Sequence, residues 1–183
     1  MALLLALGLV SCSGPGSPPG VVTMALDAAP TNLDPRFALD ANSSRLAQLL
    51  FNGLVRYDER SQIAADLALR WEHPAPTTYI FYLRRGVRFH DGRELTAADV
   101  EYTYRSLLSA ELGSPKRGSY RELQDVQAVE RYTVRFTLRK FQAPFLGNLT
   151  LGIVPKHVAE GKPAGVVHRR PVGSGPFRFV RWR

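Results

Sequence analysis

The sequence predicts a mixed α/β domain, and three observations carry that prediction. Residues 79–83 are aromatic and β-branched, and they lead through a turn centred on Asp91-Gly92 into a helix that starts at Thr96. In that helix Val100, Tyr104, Leu107 and Leu108 fall at i, i+4, i+7 and i+8, a single apolar stripe. Residues 133–139 then alternate. Val134, Phe136 and Leu138 share one face, and Thr133, Arg135, Thr137 and Arg139 share the other, which is the pattern of a half-buried strand.

The other elements follow in chain order. Residues 21–26 are a short apolar run that predicts a buried strand. Pro30, Asn32 and Asp34-Pro35 punctuate 27–35 as a loop. Asn42, Ser43 and Ser44 offer N-caps for a helix carrying Leu46, Leu49 and Leu50 on one side, with Gly53 as its stop. Residues 54–57 predict a short strand into the polar turn Asp58-Glu59-Arg60. Residues 67–73 and 79–83 predict two strands joined across Pro74-Ala75-Pro76, because a proline cannot donate to a sheet ladder. Thr96 and Asp99 have the spacing of a capping box, with Asp in place of the usual Glu. Gly113-Ser114-Pro115 closes that region. Ala143-Pro144-Phe145-Leu146 starts a short helix, and 151–154 predict a strand ending at Pro155. Residues 161–170 predict a polar linker, 171–176 a rigid Gly/Pro loop, and 177–182 a last alternating strand. There is no internal repeat.

Composition narrows the function. The 183 residues, 45% of them apolar, suit one ordinary domain or two small ones with a packed core. The net charge of +8 comes mostly from arginine, scattered from Arg36 to Arg183 with no run of five. That favours diffuse solvated charge over a nucleic-acid or membrane footprint. Cys12 is the only cysteine, which excludes an internal disulfide and a thiolate zinc site. His73, His90, His157 and His168 lie far apart, so no metal or cofactor is predicted. Gly173-Ser174-Gly175 is not a phosphate loop: no Gly-Lys-Ser/Thr follows, and Pro176 blocks the helix start that would supply the amides. Nor is it a nucleophile elbow. Asp91 and Glu94 fit turn and cap roles better than acid–base chemistry. The chain is not predicted to be an enzyme.

The first twenty residues read as an export signal and tether. Residues 2–10 are unbroken and apolar, shorter than the roughly 20 residues a spanning helix needs but suited to the apolar core of a signal peptide. They end in Leu9-Val10-Ser11-Cys12, which resembles a bacterial lipobox with Cys12 as the acylated residue. No Lys or Arg precedes the apolar run, so the true start codon stays open. Residues 13–20 are Ser, Gly and Pro only, a flexible tether. The Asn148-Leu149-Thr150 sequon is set aside for a bacterial lipoprotein.

Several blocks then point to one family. Asn32-Leu33-Asp34-Pro35, Leu50-Phe51-Asn52-Gly53-Leu54, Ala68 to Trp71, the 79–100 region, Ile153-Val154-Pro155-Lys156-His157 and Val172-Gly173-Ser174-Gly175-Pro176-Phe177 occur in family order. Together they resemble the family 5 solute-binding proteins, the extracytoplasmic receptors of ABC importers. The resemblance implies a periplasmic-binding-protein type II-like fold of two α/β lobes around a ligand cleft, with a subdomain inserted in the first lobe. Mapped here, 1–20 is signal peptide and tether, 21–54 begins lobe one, 55–170 is the insert, and 171–183 returns to lobe one. The second lobe would be absent, so the chain reads as an N-terminal fragment with little or no ligand affinity of its own. The resemblance further implies a peptide or related small solute as ligand, ABC permease subunits as partners, no nucleic acid, no cofactor and a monomer. In relatives the loop at Leu39, Asp40, Ala41 and Asn42 lines the cleft, and Tyr120 can approach the ligand from above; the alternative for each is an ordinary surface loop. Two other readings stay open: a basic regulatory or nucleic-acid-binding module, and a non-functional truncated remnant.

Overall fold

The computed structural model describes residues 21–182, so the apolar run, Cys12 and the tether lie outside the described residues. The first regular element is helix α1 (Ala41–Leu50), followed by a small antiparallel pair, β1 (Val55–Tyr57) with β2 (Ile63–Ala65). Strands β3 (Ala68–Ala75) and β4 (Thr78–Leu83) come next, then α2 (Ala97–Leu108), a 3-10 helix (Pro115–Tyr120), β5 (Leu123–Glu130) and β6 (Thr133–Leu138). Three one-turn helices close the regular structure: α3 (Phe145–Asn148), α4 (Lys156–Ala159) and α5 (Val166–Arg169).

The long strands form one antiparallel sheet in the order β3-β4-β6-β5, and α2 packs on it against β5 and β6. Both predicted apolar patterns point into that interface. Val134, Phe136 and Leu138 of β6 are buried, as are Val100, Tyr104 and Leu107 of α2, with Leu108 partly so. Phe136 sits at the centre. Its ring meets Tyr104 edge-on at 5.0 Å, Phe81 at 5.5 Å and Phe145 at 5.8 Å, the geometry that aromatic quadrupoles favour. A smaller cluster of Leu33, Leu50, Phe51, Val154, Ala159 and Val167 lies beside this main core.

The strand–turn–helix unit forms as the sequence predicts. A bridge between Arg88 and Glu94 closes the turn, and Gly92 takes φ +89°, where a side chain would be strained. Thr96 caps α2: its N–H donates to Asp99 Oδ2 at 2.9 Å and its hydroxyl to the same oxygen at 3.1 Å. The other carboxylate oxygen of Asp99 accepts from Lys156 N–H at 2.9 Å, so the cap also fixes the start of α4.

Other expectations are corrected. The N-cap of α1 is Asp40, two residues before the earliest predicted cap. The helix ends at Leu50 with an extended Phe51. Gly53 serves close approach instead, since a Cβ there would meet the Thr150 carbonyl at 2.8 Å. Pro74 lies inside β3, not in the turn, which moves to Pro76-Thr77. β3 is the edge of its sheet, where a missing N–H costs no ladder bond. β5 escapes sequence reading because its register shifts between Leu123 and Asp125 and again between Ala128 and Glu130, which breaks the alternation. Residues 161–170 are not merely a linker: they contain α5, with Val167 buried, and one turn is too short to show a period. Residues 151–154 are buried but form no strand; Ile153 N–H goes to Asn52 O and Val154 N–H to the Thr103 hydroxyl, single bonds and not a ladder. Residues 21–26 and 177–182 form no strand either. Residues 177–182 have no ladder neighbour among the described residues, and Val22 is 94% exposed.

Candidate functional site

The site begins with a buried ion pair. Asp34 and Arg36 form a two-point pair, Nη2 to Oδ2 at 2.7 Å and Nε to Oδ1 at 3.0 Å. Burial is the largest single influence and opposes the guanidinium charge, but the hydrogen bonds and charge of Asp34, with a smaller contribution from Tyr102, together exceed it and hold Arg36 above its ordinary value. Arg36 Nη1 also donates to the Ser106 hydroxyl of α2 at 2.8 Å. From the other side Ser114 Oγ donates to Arg36 O at 2.6 Å, and Lys116 Nζ donates to Pro35 O at 2.9 Å. The loop before α1 is therefore stapled to both α2 and the 3-10 helix.

The next residues set the entry to α1. The Asp40 carboxylate accepts from Ser43 Oγ at 2.5 Å, Thr31 Oγ1 at 2.6 Å and Ser43 N–H at 2.8 Å, which hold it well below the usual carboxylate range. Across from α1, Tyr120 is buried, and its hydroxyl donates to Asn148 O at 2.6 Å. Burial raises the Tyr120 phenol far enough to keep it neutral. Asn148 Nδ2 returns a bond to Ser119 O at 3.1 Å, tying the 3-10 helix to the end of α3.

These ties leave a cleft of about 330 Å³ between α1, the loop before it, the 3-10 helix and residues 147–152. Gln48, Asn148 and Thr150 supply neutral polar groups; Lys116 is its one charged lining residue among the described residues. The half-buried ammonium of Lys116 is lowered by loss of solvent, with Asp34 opposing.

Of the five positions expected to contact a ligand, Leu39 and Tyr120 line this cleft together. Asp40 spends its carboxylate on the cap, and Ala41 is exposed on the first turn of α1. Asn42 is buried with its amide donating to Asp27 Oδ1 and Ala28 O, both at 2.8 Å. These three are not part of the lining. Gln48, Lys116, Asn148 and Thr150 were not anticipated. Asn148 and Thr150 share a sequon, Gln48 and Lys116 lie far from them in the chain, and no local pattern marks any of the four as cleft residues.

The carboxylates near the Asp91-Gly92 turn have structural partners. Asp91 accepts from Arg93 N–H at 3.1 Å and pairs with His157 Nε2. Glu94 accepts from Arg131 at 2.7 Å and from the Tyr132 hydroxyl at 2.8 Å. No group of three or more His, Cys, Asp or Glu converges on a metal position among the described residues. No described helix is long and apolar enough to cross a membrane.

Comparison with known proteins agrees with this architecture. The sequence model for bacterial extracellular solute-binding proteins, family 5 Middle, matches residues 62–183. The chain is 29% identical over 203 residues to the oligopeptide-binding protein AppA of Bacillus subtilis, covering 99% of this chain and 37% of that protein. It is also 29% identical to the HTH-type transcriptional regulator SgrR of Yersinia pestis, over 82% of this chain and 26% of the regulator. Among solved structures, AppA from Bacillus subtilis in complex with a nonapeptide superposes with a TM-score of 0.80 at 31% identity, over 84% of this chain and 32% of that one. NikZ from Campylobacter jejuni in complex with Ni(L-His) gives 0.78 at 28% identity, over 85% and 32%. The fold is accordingly the mixed α/β fold of type II periplasmic-binding proteins, and the chain spans about a third of the length of these relatives.

Proposed function

Since the chain belongs to the family 5 bacterial extracellular solute-binding proteins, we propose that it captures a peptide or related small solute outside the cytoplasmic membrane and delivers it to an ABC permease. In this reading residues 21–54 begin the first lobe, 55–170 are its inserted subdomain, and 171–183 return to it. Cys12 carries the lipid that holds the protein at the membrane, and residues 13–20 let the folded part reach the permease. The protein is a monomer and binds no nucleic acid. It is a receptor and not an enzyme; the relatives matched under solute-binding names support this.

The observation that carries the reading is the cleft itself. It is concave, lined by apolar and neutral polar groups and one lysine, and built from segments tied to one another by hydrogen bonds, which is how small-molecule sites are made. Leu39 and Tyr120 form part of its wall. Asp40, Ala41 and Asn42 contribute by setting the position of α1 beneath it, and any contact they make to solute is through the exposed first turn.

Amide NMR titration with a tripeptide tests capture. Shifts gathered at Leu39, Gln48, Tyr120 and Asn148, saturating in the millimolar range, are the expected result. Few polar groups face a solute in this cleft, so its own contacts give weak binding. Shifts scattered over the surface would refute the site. The second reading, a regulatory module, draws on the likeness to SgrR. Growth with radioactive palmitate separates the two: label lost in Cys12→Ser supports the lipoprotein, and an unlabelled cytosolic product supports the regulator.

A further inference from the structure

The charge inside the cleft is one-sided. Among the described residues Lys116 is the only lining residue able to carry charge at neutral pH, and no carboxylate lines the cleft. Its ammonium has three donors, and among the described residues a single protein acceptor, Pro35 O, takes one of them at 2.9 Å. No ion pair includes Lys116 among the described residues. The charge that acts on it favourably is Asp34, and that carboxylate is already committed to the Arg36 guanidinium by two hydrogen bonds. Asp34, Arg36 and Lys116 together therefore leave one positive charge unmatched beside a concave surface. A partly desolvated ammonium with free donors is costly until an anion completes it.

The geometry points to Lys116, which lines the cleft and is held in place by its bond to Pro35, as the group that selects a carboxylate on the solute. The inference rests on the solute-capture reading and deepens it: the cleft takes a carboxylate-bearing ligand in preference to its neutral isostere. Tyr120, Gln48, Asn148 and Thr150 are neutral and serve acids and amides alike, so discrimination falls to Lys116 alone. The carboxylate can belong to a peptide C-terminus or to an acidic side chain; both present the same two acceptor oxygens.

The test uses the whole chain with lysine labelled at 13Cε. Lysine occurs at only four positions, 116, 140, 156 and 162, so the signals are readily assigned. Tri-alanine, tri-alanine amide and Ala-Glu-Ala amide are titrated at neutral pH. Tri-alanine is expected to bind about tenfold more tightly than its amide, the ratio that one charge-assisted hydrogen bond supplies. The Lys116 signal should move with the acid and stay still with the amide. Tighter binding of Ala-Glu-Ala amide than of tri-alanine amide assigns the preference to any carboxylate; equal binding of those two assigns it to the C-terminus. In Lys116→Met the acid-to-amide ratio should fall to about one, and Lys116→Arg should restore part of it. If Lys116→Met does not fold, the Lys116 signal of the unmodified chain decides. Equal binding of acid and amide at the cleft overturns the inference and leaves solute capture standing. No binding of any of the three peptides overturns both.

Discussion

Residues 133–138 and 177–182 carry similar written patterns and meet opposite fates. The first alternates apolar with polar side chains throughout; the second does so except at Phe179-Val180, where two apolar residues stand together. In the first, Val134, Phe136 and Leu138 become the floor of the core; in the second, Phe177 is 59% exposed and Val180 81%. The difference is what lies alongside. β6 is hydrogen-bonded to β4 on one edge and β5 on the other, and α2 covers its apolar face. Residues 177–182 hold on by Phe177 N–H to Leu49 O at 3.1 Å and by the packing of Phe179 against the smaller cluster, beside Trp182 at 5.6 Å. Alternation makes a chain able to be a strand, and a neighbour hydrogen-bonded along its edge makes it one.

The largest way to break that comparison is to empty its centre. Phe136→Ala should cost about 3–5 kcal/mol, because three rings lose their common partner and cannot close the gap. Phe177→Ala should stay within about 0.5 kcal/mol, the range of exposed positions. Urea unfolding of the two variants measures both, and near-equal losses would show that 177–182 is packed as firmly as β6.

A smaller effect probes how the last segment is held. Gly173 passes so close to α1 that a Cβ would stand 1.8 Å from Leu50 O. His90 clamps it from the other side, with Gly173 N–H to His90 Nδ1 at 3.2 Å and His90 N–H to Gly173 O at 2.8 Å. Gly173→Ala should lose about 1–3 kcal/mol through that clash. Amide hydrogen exchange at Phe177 should speed up while exchange in β6 scales only with global stability. Unchanged exchange at Phe177 would mean that the close approach does not anchor the segment.

The smallest effect is electrostatic and concerns the entry to β6. Hydrogen bonds from Arg131, and then from Tyr132, hold the Glu94 carboxyl at about 2, against an ordinary 4.5. A carboxyl lowered on folding stabilises above its unfolded value, and that contribution disappears as pH falls from 4.5 toward 2. The pair is exposed, so solvent screening keeps the effect modest. Thermal melts through that acid range should therefore slope less steeply in Glu94→Gln than in the unmodified chain. Parallel slopes would place the acid sensitivity elsewhere, with Asp40 at the cap of α1 as the next carboxylate to change.

Much of the sheet domain was legible because each local signal agreed with the packing. The stripe of α2, the alternation of β6, the Asp91-Gly92 turn and the Thr96–Asp99 box all match their places in the core. β5 was not legible, since two register shifts displace its apolar residues from a strict period. The one-turn helices α4 and α5 were not either, being shorter than any helical repeat can reveal. Of the cleft, Leu39 and Tyr120 were anticipated from the resemblance, whereas Lys116 gave no local sign, standing in a basic and flexible-looking stretch after Gly113-Ser114-Pro115.

The sequence by itself determined which residues turn inward in the main sheet and its helix, and which family's order of blocks the chain follows. Side-chain periodicity and capping are local chemistry, written within a few turns of chain. Only the tertiary structure decided that 177–182 is no strand and that Lys116 meets Pro35 beside the cleft. Those outcomes depend on partners as many as 81 to 128 residues away, and a contact of that span is set by how the core packs and not by the residues on either side of it.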